Sequence, residues 1–355
     1  MVTFWKILLV LTAAGGGGAL ATAAHIPLGW LIGALLVSTG FTLAGMTIRI
    51  DRIRAYGLVV LGLSLGQSFT PEIMAQLIAY LPLILACGLF TLLSGLLFTG
   101  LFTKGAELDA STAFFCTIPG GVVLMAVQAQ RAGASEAHLV LAQTVRLGVV
   151  VLSYPVLLHV FLPDHTRDAV AAAVGGTQAY TPADLLWVAL LLAGGVGVAH
   201  LARRSFLPNP WMIAPCLFAI ALQQTDLDPV TLPHWIVTVC QIILGVSLGA
   251  RMVPDFLRRS LRLVVVSAVS TLCLTVLLVL AALAMARIST MDEAALLFGM
   301  SPGGMPEMTV AARAMGVSVP LVLSFHLTRI LLANLMLEPF WHILSRLLAR
   351  CGAKP

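Results

Sequence analysis

Two arginines stand inside apolar stretches of this chain, where a charged side chain either binds an anion or holds a structural partner. Arg146 and Arg329 are 183 residues apart (329 − 146), and Gln143 and His326, each three residues earlier, have the same separation. An arginine within lipid is costly, so it is expected to face the protein interior and to have a partner there. These four side chains are therefore the first candidates for a substrate site.

A helix-breaking motif precedes each arginine. The two motifs are Pro119, Gly120 and Gly121 in the first case, and Pro302, Gly303 and Gly304 in the second. Proline removes a backbone donor and glycine frees the chain, so neither segment is an ordinary helix interior. Breaks at membrane depth survive only where protein or water covers the backbone, and the helix after each break begins with a partly positive end. We therefore add these six residues to the predicted substrate site.

The spacing between motif and arginine predicts that they meet. Gly121 and Gly133 are 12 residues apart (133 − 121), and Gly133 and Arg146 are 13 apart (146 − 133). If the chain reverses near Gly133, each leg spans roughly 18–20 Å as helix, which returns Arg146 to the depth of the break. The same spacing places Arg329 beside Gly304, so the two halves are expected to converge near the membrane midplane.

Three carboxylates are candidates for a coupling-ion or proton site, and each has an alternative role. Asp109 and Asp292 could instead pair with Arg146 and Arg329 and hold the helices together, in which case the arginines are structural. Glu307 follows the second break, and it is either a first-turn carboxylate favoured by the helix dipole or a proton or cation site. His326 is either a substrate ligand or a satisfied interior histidine.

Composition indicates an integral membrane protein. Hydrophobic residues make up 59% of the 355 positions and charged residues only 10%, and the mean hydropathy is +1.01. A soluble protein carries roughly 25% charged residues, so lipid must be the outer solvent here. The net charge of +5 arises mainly from short loop clusters, which set membrane orientation and do not indicate direct nucleic-acid binding.

The sequence predicts no metal, cofactor or catalytic site. The six cysteines form no CxxC pair, and five of them lie in or beside apolar stretches, as small buried residues do. No nucleophile or multi-histidine arrangement typical of an enzyme is present in the sequence. We therefore expect a protein that is not an enzyme.

Ten apolar stretches are long enough to span, or nearly span, a bilayer. They are residues 4–24, 27–44, 56–69, 80–102, 137–162, 184–202, 211–222, 234–250, 263–286 and 321–348, with broken segments at 108–133 and 291–316. The first stretch resembles a signal peptide, but the glycines that interrupt it have a counterpart at 194–197, so a membrane helix is predicted. The predicted fold class is an all-α polytopic membrane protein with about ten transmembrane helices.

The chain repeats itself at an offset of 183 residues (302 − 119), which predicts a first membrane repeat over 1–162, a linker over 163–182 and a second repeat over 183–355. Equivalent loops of the two repeats differ in charge. The loop with arginines at 49–54 is equivalent to a loop at 225–233 without Lys or Arg, and the loop with arginines at 251–262 is equivalent to one at 70–76 that also has none. This exchange favours inverted-topology repeats, each containing a re-entrant or discontinuous helix broken at Pro-Gly-Gly, with both termini in the cytoplasm.

The duplicated motif resembles one known family. Ser301-Pro-Gly-Gly-Met-Pro-Glu-Met308 with Arg329, and the earlier copy at 117–125 with Arg146, are similar to the AbrB-duplication membrane proteins. Members of this family are labelled transcriptional regulators or, provisionally, ammonia monooxygenases. The regulator label implies a role in the regulation of gene expression. This sequence departs from the family pattern at Leu124, where the first copy usually carries Glu, and that departure questions any mechanism that needs a carboxylate from both halves.

Two functions follow as hypotheses. The first is a secondary transporter in the cell (inner) membrane that carries a small anion, with the lipid bilayer as its surroundings and a midplane site between the repeats. The alternative is a membrane-embedded regulator of gene expression that acts through a partner, as the family label implies. The sequence leaves the oligomeric state open, and a homo-oligomer is compatible with either hypothesis.

Overall fold

Helices are the only regular secondary structure among the residues that the computed structural model describes, which are 2–24, 26, 28–120, 122–161, 180–205, 207–225, 230–252 and 260–350. The all-α prediction is confirmed at this level. Gly121, residues 163–179 of the predicted linker, and Arg258 and Arg259 of a predicted basic loop lie outside the described residues, as does the side chain of Leu124.

Fifteen helices are described. They are α1 (Val2–Ala23), α2 (Gly29–Leu43), α3 (Asp51–Gly66), α4 (Pro71–Leu96), α5 (Thr99–Gly105), α6 (Ala110–Thr117), α7 (Val122–Arg131), α8 (Glu136–Phe161), α9 (Pro182–Ala202), α10 (Pro210–Gln223), α11 (His234–Gly249), α12 (Leu261–Ile288), α13 (Glu293–Met300), α14 (Met305–Ala314) and α15 (Val319–Arg350).

Six segments in the described part of the chain are long and apolar enough to cross a bilayer. These segments are Trp5–Ala23, Glu72–Gly105, Glu136–Tyr154, Pro182–Ala202, Leu261–Ile288 and Val319–Leu337. Helices α2, α10 and α11 are apolar but shorter, with 10–17 residues each. The helices fit a membrane protein, whereas the number of ten spans stays a prediction.

The chain folds into two compact units, and each unit draws on both halves of the sequence. The first unit consists of Met1–Ile78, Tyr154–Pro254 and Thr309–Pro320. The second consists of Ala79–Ser153, Asp255–Met308 and Leu321–Pro355. All described residues of the predicted substrate and coupling sites fall in the second unit.

Glycines bring two pairs of helices into backbone contact in the first unit. On α3, a Cβ atom at Gly62 would overlap the carbonyl oxygen of Met212 on α10. On α11, a Cβ atom at Gly245 would overlap the carbonyl oxygen of Leu31 on α2. Gly62 and Gly245 are 183 residues apart (245 − 62), so equivalent glycines make equivalent contacts. Small residues at such crossings are the usual way for membrane helices to pack closely.

The second unit has an aromatic and aliphatic core around α6. Phe114, Phe115 and Trp341 pack with ring centroids 5.2–5.9 Å apart. Helix α4 lies against the end of α6, because a Cβ at Gly95 would come within 2.9 Å of the Thr117 carbonyl oxygen and 3.0 Å of Pro119. This close packing covers backbone that the helix ending at Thr117 would otherwise leave exposed.

Two glycines with positive φ separate the short helices from the long ones that follow. Gly133, with φ of +75°, lies between α7 and α8, and Gly316, with φ of +66°, lies between α14 and α15. A side chain disfavours this left-handed conformation, which explains why glycine ends these helices. The chain therefore turns at the two positions from which the spacing argument predicted that each arginine returns.

Candidate functional site

The first helix break begins where α6 ends at Thr117. Residues 118–120 are not helical, and α7 begins at Val122. Pro119 has no N–H to donate, so the peptide carbonyls just before it lose partners that a continuous helix would supply. Gly120 donates to the Ile118 carbonyl at 3.0 Å, and a Cβ at Gly120 would come within 2.6 Å of Met125 Sδ.

Helix α8 supplies side-chain donors to this break. Gln143 Nε2 donates to the carbonyl oxygens of Ile118 at 3.1 Å and Phe115 at 3.4 Å. Arg146 Nη1 donates to the Ile118 carbonyl at 3.1 Å and reaches the Thr117 carbonyl at 3.5 Å. Arg146 Nη2 also donates to Gln143 Oε1. The two side chains thus satisfy carbonyls that the break leaves open.

The second break has the same construction. Helix α13 ends at Met300 and α14 begins at Met305. Arg329 on α15 donates through Nη1 to the Ser301 carbonyl at 2.5 Å and through Nη2 to the Gly303 carbonyl at 2.7 Å. His326 Nε2 lies 3.2 Å from the Phe298 carbonyl. Both side chains are buried, with 3% and 0% of their surface exposed.

The contacts at the two breaks correspond residue by residue at the offset of 183. Gln143 and His326 bond to Phe115 and Phe298, which are also 183 apart (298 − 115). Arg146 and Arg329 bond to the carbonyls of Ile118 and Ser301, again 183 apart (301 − 118).

The two sets of residues also lie close to each other within the second unit. Arg146 and Arg329 are near enough for their positive charges to repel. Helix α8 reaches the second break, because a Cβ at Gly304 would come within 2.9 Å of Leu147 Cδ2. The structure therefore brings together both arginines, Gln143, His326 and the described residues of the two Pro-Gly-Gly motifs.

Asp109 and Asp292 are helix caps and not partners of the arginines. Asp109 Oδ2 accepts a hydrogen bond from the Thr112 backbone N–H at 2.9 Å, and Asp292 Oδ2 accepts one from Ala295 at 3.0 Å. Both residues are exposed and lie at the opposite ends of α6 and α13 from the breaks. Burial alone would raise the pKa of Asp109, but hydrogen bonds from Ser111 and Thr112 outweigh it and hold the pKa below its ordinary value.

These caps predict a specific pattern of substitution effects. Asp292→Ala should lower the free energy of unfolding by about 1 kcal/mol, whereas Asp292→Asn should cost much less, because asparagine also caps helices. Asp109 should behave in the same way. Unfolding of the purified variants in detergent measures both effects. An asparagine variant as damaging as the alanine variant would instead show that the negative charge of the aspartate is required.

Glu307 differs from the aspartates because it is buried and close to the second break. Only 2% of its surface is exposed, and a Cβ at Gly304 would overlap its Oε2 atom. Among the described residues, Arg146, Glu307 and Arg329 are the charged side chains that are buried. Their formal charges sum to +1 (two positive, one negative), and an uncompensated buried charge is costly.

Ser301 is the residue of this site that the sequence reasoning missed. Its side chain is fully buried at the second break, and its hydroxyl has no hydrogen-bond partner among the described residues. The equivalent residue of the first half is Ile118. A serine in one half where the other half has an apolar residue could have indicated a functional hydroxyl. No group of three His, Cys, Asp or Glu suited to a metal ion occurs within the described ranges.

Comparison with known proteins gives the family of this chain. A protein of Bacillus subtilis (strain 168) named YhjN and described as uncharacterised is 26% identical over 361 aligned residues, which cover 96% of this chain and 94% of that protein. A protein of Escherichia coli (strain K12), named provisionally as regulator AbrB, is 25% identical over 328 residues and 92% of each chain. The family model described as transition state regulatory protein AbrB matches residues 30–345, and the protein therefore belongs to the AbrB family.

Proposed function

We propose that this protein is a secondary transporter of a small anion, and that a carboxylate is the chemistry that fits its site. The observation that carries the proposal is the pair of buried arginines on matched helix breaks, with only one buried carboxylate among the described residues to offset them. A guanidinium group suits a carboxylate because its N–H groups match the two oxygens in a fixed plane. One monoanion would bring the formal charge of the cluster from +1 to zero.

The repeated architecture supports transport rather than a purely structural role. Equivalent breaks, glycine turns, caps and arginine contacts recur at one offset, and the exchange of loop charges favours an inverted relation between the repeats. In this proposal the chain makes ten crossings of the inner membrane with cytoplasmic termini, and each broken segment enters and leaves on one side. Inverted repeats with matching broken helices commonly place their substrate near the midplane, and partly positive helix ends there favour an anion.

A membrane-embedded regulator of gene expression is the second candidate. The description of the family as transition state regulatory proteins, and the name of the relative from Escherichia coli, favour it. Such a protein would act on a partner through its loops, for instance the arginines at 49–54. A regulator of this kind has its effect only when the partner is present, whereas a transporter carries its substrate across a bilayer after purification and reconstitution. Uptake that alters gene expression indirectly would reconcile the two.

Ligand binding by the wild-type protein tests the proposed class of substrate. The purified protein in detergent is screened by thermal shift against formate, acetate, propionate, lactate and succinate, with methylammonium and ammonium as the cationic counterparts. We expect at least one carboxylate to raise the unfolding temperature in a saturable manner, and no cation to do so. Stabilisation by the cations alone, or by none of the compounds, would refute the anionic substrate.

Glu307 is proposed as the proton-coupling group of this transporter, because it is the buried carboxylate beside the second break. Glu307→Gln should retain carboxylate exchange between the two sides of a vesicle but lose the acceleration of uptake by an inward proton gradient, by about tenfold or more. Uptake into proteoliposomes with and without the gradient measures this effect, and Glu293→Gln in the first turn of α13 is the matched control. If Glu307 only complements the helix dipole, the variant should lose about 0.5 kcal/mol of stability and keep its gradient dependence.

A further inference from the structure

Buried polar atoms without a hydrogen-bond partner among the described residues occur at the breaks. Arg146 Nε, Ser301 Oγ and His326 Nδ1 are three of them. Each belongs to a residue that is at least 94% buried, since Arg146 is 6% exposed and the other two are 0% exposed. A buried polar atom without a hydrogen-bond partner destabilises a protein, so the presence of these atoms at the two breaks requires an explanation.

The chemistry of His326 follows from its one contact. A backbone carbonyl can only accept, so the approach of Nε2 to the Phe298 oxygen at 3.2 Å requires the proton on Nε2. His326 is fully buried, which disfavours a charged imidazole, and the positive charge of the neighbouring Arg329 disfavours it further. The imidazole is therefore neutral, and its buried Nδ1 is a hydrogen-bond acceptor.

The first half of the chain shows what this acceptor lacks. Gln143, the equivalent of His326, donates to Phe115 in the same way and uses its Oε1 to accept from Arg146. His326 has no such donor opposite Nδ1. The two halves thus differ in this acceptor: the protein fills it in the first half, whereas in the second half it is open to a ligand that carries a donor.

The other two atoms complement an anion. Arg146 Nε–H is a donor on a positive group, and the Ser301 hydroxyl can donate to an oxygen. The ligand must therefore combine a negatively charged acceptor with a hydrogen-bond donor. An ammonium donor is disfavoured, because Arg146 and Arg329 would repel it, whereas a hydroxyl carries no charge.

We infer that the substrate is a small hydroxycarboxylate, whose carboxylate binds Arg146 and Ser301 and whose hydroxyl donates to Nδ1 of His326. This inference rests on the proposed transport function and narrows its substrate class. It also gives His326 a role that Gln143 lacks, because both side chains bind their own break but only His326 has an acceptor left for the hydroxyl of the ligand.

The wild-type protein alone provides the first test, because lactate and propionate differ by one hydroxyl. Calorimetric titration of the purified protein should show lactate binding at least about tenfold more tightly than propionate, which corresponds to one hydrogen bond to a buried acceptor. Alanine, which carries an ammonium group in place of the hydroxyl, should bind more weakly than lactate. Equal affinities for lactate and propionate would overturn the inference but leave the proposed anion site standing.

His326→Gln provides the second test, because it reproduces the residue that the first half uses at the same place. The glutamine can donate to Phe298 as Gln143 does to Phe115, so the variant is expected to fold. By the same equivalence its Oε1 should accept from Arg329, as Gln143 Oε1 accepts from Arg146, which leaves no acceptor for the hydroxyl of a ligand. Its preference for lactate over propionate should fall from about tenfold to about twofold or less, while the exposed control His234→Gln keeps the preference. A preference that survives in His326→Gln would overturn the inference. If no carboxylate binds the wild type at all, both the inference and the proposed function fail.

Discussion

Arg146→Gln should weaken the binding of small carboxylates by about 100-fold or more, because it removes a buried positive charge that the ligand needs. With Glu307 and Arg329 in place, the formal charge of the buried cluster falls from +1 to zero, and an added anion would then be uncompensated. The fold should survive, because Gln143 still donates to the Ile118 carbonyl at 3.1 Å. Titration of the purified variant with the carboxylate that stabilises the wild type measures the loss.

Arg329→Gln should lose binding as well, but it should also destabilise the protein. Arg329 holds the carbonyls of both Ser301 and Gly303, and loss of this support should lower the free energy of unfolding by about 1–3 kcal/mol. Arg329→Lys keeps the charge without the planar pair of donors, so it should recover part of the binding.

The exposed arginine Arg262 provides a control for both variants. It pairs with Glu107, and the two side chains are each 72% exposed, so Arg262→Gln should change stability by less than about 1 kcal/mol and leave binding intact. A folded Arg146→Gln protein that binds carboxylates as tightly as the wild type would refute the role of the buried charge.

Gly245→Ala should destabilise the first unit by about 3 kcal/mol, because the added methyl group would overlap the Leu31 carbonyl oxygen. The added methyl group would also lie 2.8 Å from Ala34 Cβ and 3.0 Å from the backbone nitrogen of Leu35. Backbone atoms cannot move away as a flexible side chain can, so α2 and α11 must separate. Gly62→Ala should have the same effect on α3 and α10.

Gly40→Ala is the matched control for the glycine variants, because nothing lies within 4 Å of its added methyl group. Alanine is the better helix former by about 1 kcal/mol, so this variant should be as stable as the wild type or more so. Unfolding of all three variants in one detergent measures the difference. Equal stability of Gly245→Ala and Gly40→Ala would contradict the close crossing of α2 and α11.

The local features of the site could be predicted from the sequence, because they depend on a few residue types with strong backbone effects. Proline and paired glycines indicated the breaks, and Gly133 and Gly316 indicated the turns from which Arg146 and Arg329 return. The pairing of each arginine with its own break then follows from helix length. The partition of the chain into two units does not follow in this way, because it depends on which helices meet through glycines such as Gly62, and a sequence does not specify the partner.

The hydrogen bonds of the polar side chains were harder to predict. Asp109 and Asp292 were weighed as charges, whereas the structure uses them as caps; an aspartate directly before a short apolar helix was the signal for that role. Ser301 was overlooked because an apolar residue, Ile118, occupies the equivalent position. The open acceptor on His326 depends on which ring nitrogen meets Phe298, and the residue types in the sequence do not specify this.

Transport by the purified protein tests the central claim most directly. The protein is reconstituted into liposomes loaded with the unlabelled carboxylate that stabilises it, and the entry of the labelled compound is followed by counterflow, with Arg146→Gln liposomes as the control. The account predicts transient accumulation of label in wild-type vesicles and none in the variant. Binding of the carboxylate without any accumulation by the wild type would contradict transport and would favour a membrane protein that senses its ligand.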